Sequence, residues 1–224
     1  MVSVAKKHLK LRRGSFELES EVGYPGAPKD NKTEGGKTIR RLLQAYDRHP
    51  IFSSWSCSGL IKEVLGSLFF SKKIILSRSH HNCVMTKNPH FSSRTGWHRD
   101  IRYWSYNHAN LISVWLALGV ETEENGCLMV VPGSHSINFD QRLFDGAGFF
   151  KENEEDCKLV LKNAKSVPLS PGDVLIFHCN LLHSAGKNST LKTKYSLVFT
   201  YYHPENRPVA GTRSAKIKPV EIEC

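Results

Sequence analysis

The sequence predicts a mainly β domain, a sandwich or barrel, with helices confined to its N-terminal third. Three observations carry this reading. From Lys72 onward, short β-type runs recur at roughly ten-residue spacing, punctuated by Gly, Pro and acidic turns. Leu111 to Leu118 is a near-continuous apolar run, fit for a strand buried on both faces. Helical periodicity is strongest before Lys72.

Taken in order, residues 1–36 are polar and rich in Gly, Pro and charge, so an irregular segment is expected, with a short strand near Phe16–Leu18. Thr38 to Asp47 reads as a helix, because Ile39, Leu42, Leu43 and Tyr46 recur at amphipathic spacing. Ser53 or Ser54 would cap a second helix carrying Leu60, Ile61, Val64 and Leu65, with Gly66 as its stop. Helices are thus expected over 37–70. Lys73–Ser77 and Asn82–Lys87 are β-type runs, and Pro89 to Gly96 is a loop. Glu121 to Gly126 is an acidic turn feeding a strand, Cys127 to Val131, that ends at Pro132-Gly133. Residues 138–166 form a polar insertion, helical around Glu152–Leu161. Pro171-Gly172-Asp173 turns into the strand Val174–Phe177, and Lys194 to Tyr202 is the last strand. The β core is expected over 72–203, followed by a basic surface tail, 204–224. The whole chain, 1–224, reads as one domain.

Its 224 residues and 40% apolar content suit a single core. No apolar run approaches the roughly 18 residues of a membrane span. Met1 to Ser15 is basic and lacks the apolar segment of a secretory signal, so a cytoplasmic protein is expected. The six cysteines form no CxxC pair and are too sparse for a disulfide framework, so buried reduced thiols are expected. A net charge of +10, from 31 basic and 21 acidic residues, suits an anionic substrate or partner, or plain solubility. The basic residues are dispersed and no nucleic-acid-binding motif is present, so nucleic acid is not indicated as a partner. Nothing in the sequence speaks to oligomeric state.

The chemistry concentrates in Gly96-Trp97-His98-Arg99-Asp100 and in Leu181-Leu182-His183-Ser184-Ala185-Gly186. On a strand, side chains two apart share a face, so His98 and Asp100 can converge on one metal ion. His183 follows the strand Val174–Phe177 and could supply a second imidazole from a neighbouring strand. Two histidines and a carboxylate on one face, with open positions opposite, suit a non-haem Fe(II) centre.

In order along the chain, Trp97-His98-Arg99-Asp100, Trp115-Leu116-Ala117-Leu118, Asn125-Gly126-Cys127-Leu128 with Pro132-Gly133-Ser134-His135, Pro171-Gly172-Asp173 and His183-Ser184-Ala185-Gly186 form a set. This set resembles the phytanoyl-CoA dioxygenase family of Fe(II)/2-oxoglutarate oxygenases, from about Leu42 to Tyr202. The resemblance implies a double-stranded β-helix (a jelly-roll, cupin-like core) with the helices packed outside. It implies Fe(II) on His98, Asp100 and His183, and 2-oxoglutarate and O2 as co-substrates. The expected activity is hydroxylation of an unactivated C–H bond of a small organic substrate, with release of succinate and CO2. Halogenating relatives lack the carboxylate, so an intact Asp100 argues for hydroxylation. Two departures stand out. The family usually opens with a longer helical segment, and it usually places an arginine where this chain has Lys194. A lysine can pair with the distal carboxylate of 2-oxoglutarate, as a point charge rather than a fork.

Other residues carry competing roles. The resemblance puts Trp115 beside the co-substrate, although core packing explains it equally. Asn82, Met85 and Lys87 lie on the strand before the metal loop, where the family also contacts 2-oxoglutarate, and Asn82 is the preferred cofactor-binding residue there. Ser184 and Thr193 could donate hydrogen bonds to a carboxylate. His80 and His81, adjacent on an expected strand, would point to opposite faces and so not chelate together. His178 reads as structural. Arg99, Arg102, Tyr103 and Trp104 flank the metal motif and could line the substrate mouth, where the arginines suit an anionic group. Two other readings compete: a non-catalytic cupin-like metal- or ligand-binding module, and a Zn- or Mn-dependent enzyme on the same fold.

Overall fold

The computed structural model describes residues 1–224, and strands dominate from Lys73 onward, as expected. In chain order the elements are α1 (Val2–Lys10), β1 (Phe16–Leu18), β2 (Ile39–Leu43), α2 (Ala45–Arg48), α3 (Pro50–Ser56) and α4 (Gly59–Phe69). Then come β3 (Lys73–Ser77), β4 (Cys83–Lys87), β5 (Thr95–His98), β6 (Leu111–Ala117) and β7 (Leu128–Val130). The remainder is α5 (Glu155–Leu161), β8 (Lys165–Val167), β9 (Val174–His178), β10 (His183–Ala185), β11 (Lys194–Tyr202) and β12 (Val220–Glu223).

Two antiparallel sheets make the jelly roll. The larger has eight strands: β11 pairs along one edge with β4 and then β3, and along the other with β6, which pairs β9. Beyond β4 lie β2 and β1, and beyond β3 lies β12. The smaller sheet runs β5-β10-β7-β8.

Alternation assigns the faces. Along β11, Tyr195, Leu197, Phe199 and Tyr201 pack outward with Val114 and Leu116 of β6 against Phe52, Ile61 and Leu65 of the helices. The other face of the same strands, with Cys83, Trp115, Phe177 and Val198, meets Leu128 and Ala185 of the smaller sheet. Covered on both sides, β11 is buried at all nine positions. The smaller sheet is backed by the 138–166 insertion, whose Phe139, Phe150 and Cys157 pack on Trp97, Val131 and Leu182.

Five expectations fail locally. The stretch expected as a helix from Thr38 to Asp47 is strand β2, and only Ala45–Arg48 is helical. Short apolar runs fit both periods, and here the open edge of β4 and the partner β1 decide the matter. Gly66 does not stop α4. It lies inside the helix where a Cβ would sit 3.1 Å from Cys224 Cβ and 3.2 Å from the Ser71 carbonyl, and the helix ends at Phe70 in the left-handed region. Ser53 and Ser54 sit within α3, and Ser58 precedes α4. The N-terminal segment is not wholly irregular, since it opens with α1, and the 204–224 segment is not a loose tail: β12 pairs in register with β3, Val220 opposite Leu76. No helix is long and apolar enough to cross a membrane. All six cysteines are free thiols.

Candidate metal centre and pocket

Strand pairing brings the two histidines together. β5 and β10 are antiparallel neighbours, and His98 stands directly opposite His183. β5 ends at His98, so Asp100 does not share its strand. Asp100 opens a short 3-10 turn over Asp100–Tyr103, which swings its carboxylate back toward both rings. Asp100 Oδ1 lies 3.8 Å from His98 Nε2 and 3.6 Å from His183 Nε2.

Each imidazole is held in one tautomer. His98 Nδ1–H donates to the Gly96 carbonyl at 2.8 Å, and His183 Nδ1–H donates to the Leu181 carbonyl at 2.9 Å. A carbonyl only accepts, so both rings present a bare Nε2 to the common point. Burial, then the neighbouring ring of His183, holds the His98 pKa well below its ordinary value. Burial opposes ionisation of Asp100, but His81, His183 and His98 together outweigh it and hold its carboxyl far below the usual range. Two imidazole nitrogens and a carboxylate oxygen, all from buried residues and all within 4.8 Å of one another, are a donor set that could hold a divalent metal ion.

The Asp100 carboxylate is itself held at both oxygens. His81 Nε2–H donates to Oδ1 at 2.9 Å and Ser113 Oγ donates to Oδ2 at 3.0 Å. The charge and hydrogen bond of Asp100 overcome burial and push His81 up to about 9. His81 adopts φ 29°, an uncommon conformation for a non-glycine residue, in the turn before β4 rather than on a strand. His80 points elsewhere. Its Nε2 accepts from the Ser214 hydroxyl at 2.7 Å, and burial, then Arg213, lowers its pKa to about 3.

A cavity of about 350 Å³ opens over these residues. Lys194, Trp115, Arg102 and Trp104 line it, as does Lys87, Met85 and Ser184. Lys194 Nζ is 2.9 Å from Glu121 Oε2, and Trp115 Nε1 donates to Glu121 Oε1 at 3.0 Å. Also on the lining, the Arg102 guanidinium stacks 3.7 Å over Phe149 and 4.5 Å over Tyr103. Its Nη1 is buried without a hydrogen-bond partner. Tyr24 and Tyr103 share a hydroxyl hydrogen bond of 2.8 Å.

Three sequence assignments fall outside this cavity. Asn82 faces away: its Oδ1 accepts from Tyr46 N at 2.7 Å and so anchors the start of α2. Arg99 lies with Phe144, 4.8 Å beneath its guanidinium, in a neighbouring depression. Thr193 donates to Asn88 Oδ1. Conversely, Ser113, Glu121, Tyr24, Phe149 and Arg213 belong to the site or its surroundings and were not singled out, and His81, set aside as a ligand, holds the Asp100 carboxylate. Arg41, from the misread segment 38–47, also lines it. His81 alone carried a signal, as an imidazole near the metal motif, and the strand expected around it pointed the side chain the wrong way.

The phytanoyl-CoA dioxygenase family model matches residues 19–196. Phytanoyl-CoA dioxygenase 1 of Oryza sativa is 22% identical over 182 residues, covering 81% of this chain and 63% of that protein. The probable alpha-ketoglutarate-dependent hypophosphite dioxygenase of Stutzerimonas stutzeri is 23% identical, covering 80% and 65%. The chain thus spans somewhat under two thirds of the length of these relatives. Among solved structures, EctD from S. alaskensis with 2-oxoglutarate and 5-hydroxyectoine matches with a TM-score of 0.72 at 19% identity, over 92% of this chain and 68% of that one. The non-haem alpha-ketoglutarate-dependent carbocyclase SnoK from nogalamycin biosynthesis matches with a TM-score of 0.68 at 19% identity, over 97% and 81%. These structural likenesses establish the fold.

Proposed function

The chain belongs to the phytanoyl-CoA dioxygenase family, and on that premise we propose that it is a 2-oxoglutarate-dependent dioxygenase that hydroxylates a small organic substrate. The observation that carries this is the convergence of His98 Nε2, His183 Nε2 and Asp100 Oδ1 on the lining of a cavity. Those three side chains would hold Fe(II), which suits a face of two imidazoles and one carboxylate. Bound iron and 2-oxoglutarate supply the oxidising chemistry: O2 is activated, 2-oxoglutarate becomes succinate and CO2, and a substrate C–H bond gains a hydroxyl.

The chain's own residues prepare the site for this. The Gly96 and Leu181 carbonyls fix the ring tautomers before any metal arrives, so the donors need no rearrangement. His81 and Ser113 hold the carboxylate, leaving Oδ1 aimed at the rings. Phe177, 5.2 Å from the His183 ring, and Phe149, 5.9 Å from the His98 ring, wall the centre with apolar surface and exclude water. On the cavity wall, the unpartnered Nη1 of Arg102 supports a substrate bearing a carboxylate or another anionic group.

The test is an anaerobic titration of the protein with Fe(II) and 2-oxoglutarate, following the weak visible charge-transfer band. The band should form in the wild type and vanish in His98→Ala. Tight Zn(II) binding with no band would overturn the reading. So would succinate formation undiminished in His98→Ala.

A further inference from the structure

Beside the cavity three donors are already engaged by one side chain. Lys194 Nζ donates to Glu121 Oε2 at 2.9 Å. Ser196 Oγ donates to Glu121 Oε1 at 2.6 Å, and Trp115 Nε1 donates to the same oxygen at 3.0 Å. Glu121 is 1% exposed and Lys194 5%. Lys194 and Trp115 line the cavity, and Glu121 lies behind them, off its wall. Its backbone is pinned by a reciprocal pair of hydrogen bonds with Leu169, at 2.8 and 3.0 Å, so the carboxylate does not swing clear with a loop.

The two residues placed to meet the far end of a dicarboxylic co-substrate are therefore bound by a carboxylate of the chain itself. A lysine with a buried carboxylate at 2.9 Å offers an incoming anion little net charge, and in this poorly screened setting Glu121 also repels it. Lys87, opposite Lys194 in register, does not replace that charge. Its Nζ reaches only the Ser93 and Gly186 carbonyls, and burial, then Arg40 and Lys194, pushes its pKa well down.

We propose that Glu121 determines co-substrate specificity: by neutralising Lys194 it removes most of the advantage that a dicarboxylic 2-oxo acid would hold over a monocarboxylic one. The inference rests on the oxygenase reading above. Glu121→Gln, which keeps the shape and drops the charge, restores a free cation at Lys194.

The experiment is an anaerobic titration of the Fe(II)-loaded protein with 2-oxoglutarate and, separately, 2-oxobutyrate, read by the charge-transfer band. In the wild type the two affinities lie within about tenfold of each other. In Glu121→Gln, 2-oxoglutarate binds about tenfold tighter or more, while 2-oxobutyrate moves by less than about twofold. If Glu121 serves only to orient Lys194, its loss weakens 2-oxoglutarate binding or leaves it unchanged, and the proposal falls. Should the single variant fail to fold, Glu121→Gln/Lys194→Met removes both charges together. The proposal requires its ratio of the two affinities to stay within about threefold of the wild type. A tenfold loss specific to 2-oxoglutarate overturns it, because Lys194 would then be serving the dicarboxylate despite Glu121. A wild type that strongly prefers 2-oxoglutarate overturns the proposal and leaves the oxygenase standing. No band with either acid in any variant removes both.

Discussion

Two sets of residues at the cavity hold buried charge in opposite ways. In one, His98, His183 and Asp100 aim three donor atoms at a common point, with the ring tautomers set by carbonyls. In the other, Lys194 and Glu121 are paired, with Ser196 and Trp115 also donating to Glu121. Both sets are equally buried, so burial does not separate a ligand site from a structural pair. The difference lies in the two imidazole Nε2 atoms, which face a shared point with no hydrogen-bond partner, whereas Glu121 is engaged by the chain's own donors at both oxygens. Satisfied polar groups stabilise a core, whereas a set of donors aimed at one another's empty side is stable only with something between them.

That contrast can be broken in either set. The largest effect is expected from Asp100→Ala, which should abolish Fe(II) binding measured by equilibrium dialysis while the fold persists. Next, Lys194→Met leaves Glu121 buried and unpaired and should cost about 3–5 kcal/mol in denaturant unfolding. Adding Glu121→Gln should recover most of that loss, since replacing both partners is far cheaper than orphaning one. A smaller loss is expected of His81→Ala, which frees one oxygen of Asp100 and should weaken metal affinity by about 10–100-fold. Smaller still is the effect of His80. Its folded pKa of about 3 lies below the ordinary 6.5, so the unfolded chain binds the extra proton. Stability should therefore rise with pH between about 3 and 6.5, by at most about 1.4 kcal/mol per pH unit from this group, and His80→Phe should flatten that slope. Least of all, Glu221→Ala at the exposed, solvent-screened Lys73 pair should leave the denaturant midpoint essentially unchanged.

The long central strand was legible because its alternation is strict. Tyr195, Leu197, Phe199 and Tyr201 face one side and Lys194, Ser196 and Val198 the other, whatever the rest of the chain does. His98, Asp100 and His183 were legible from spacing and order, although the turn that carries Asp100 was taken for strand. What escaped reading depends on partners remote in sequence. Ile39–Leu43 is a strand because β4 and β1 are there to receive it. Glu121 stood in an acidic turn that reads as solvated, and only the arrival of Lys194 from β11 makes it a core residue. Arg213 and Ser214 reach the site from a segment that read as surface tail, drawn in by the pairing of β12 with β3. Asn82 was misassigned because its position beside the motif says nothing of whether its side chain caps a helix or faces the cavity.

The facing of His98 and His183 across two paired strands has a further consequence. Anything gripped by both rings becomes a rivet between β5 and β10, fastening the smaller sheet along a short seam whose register shifts between His183 and Ala185. By linkage, a metal at a hundred times its dissociation constant would hold that seam shut by about 2.7 kcal/mol. Deuterium uptake in β5 and β10 would then slow by about a hundredfold on loading, where those amides exchange by local opening, while β3 and β12 on the far sheet would keep their rates.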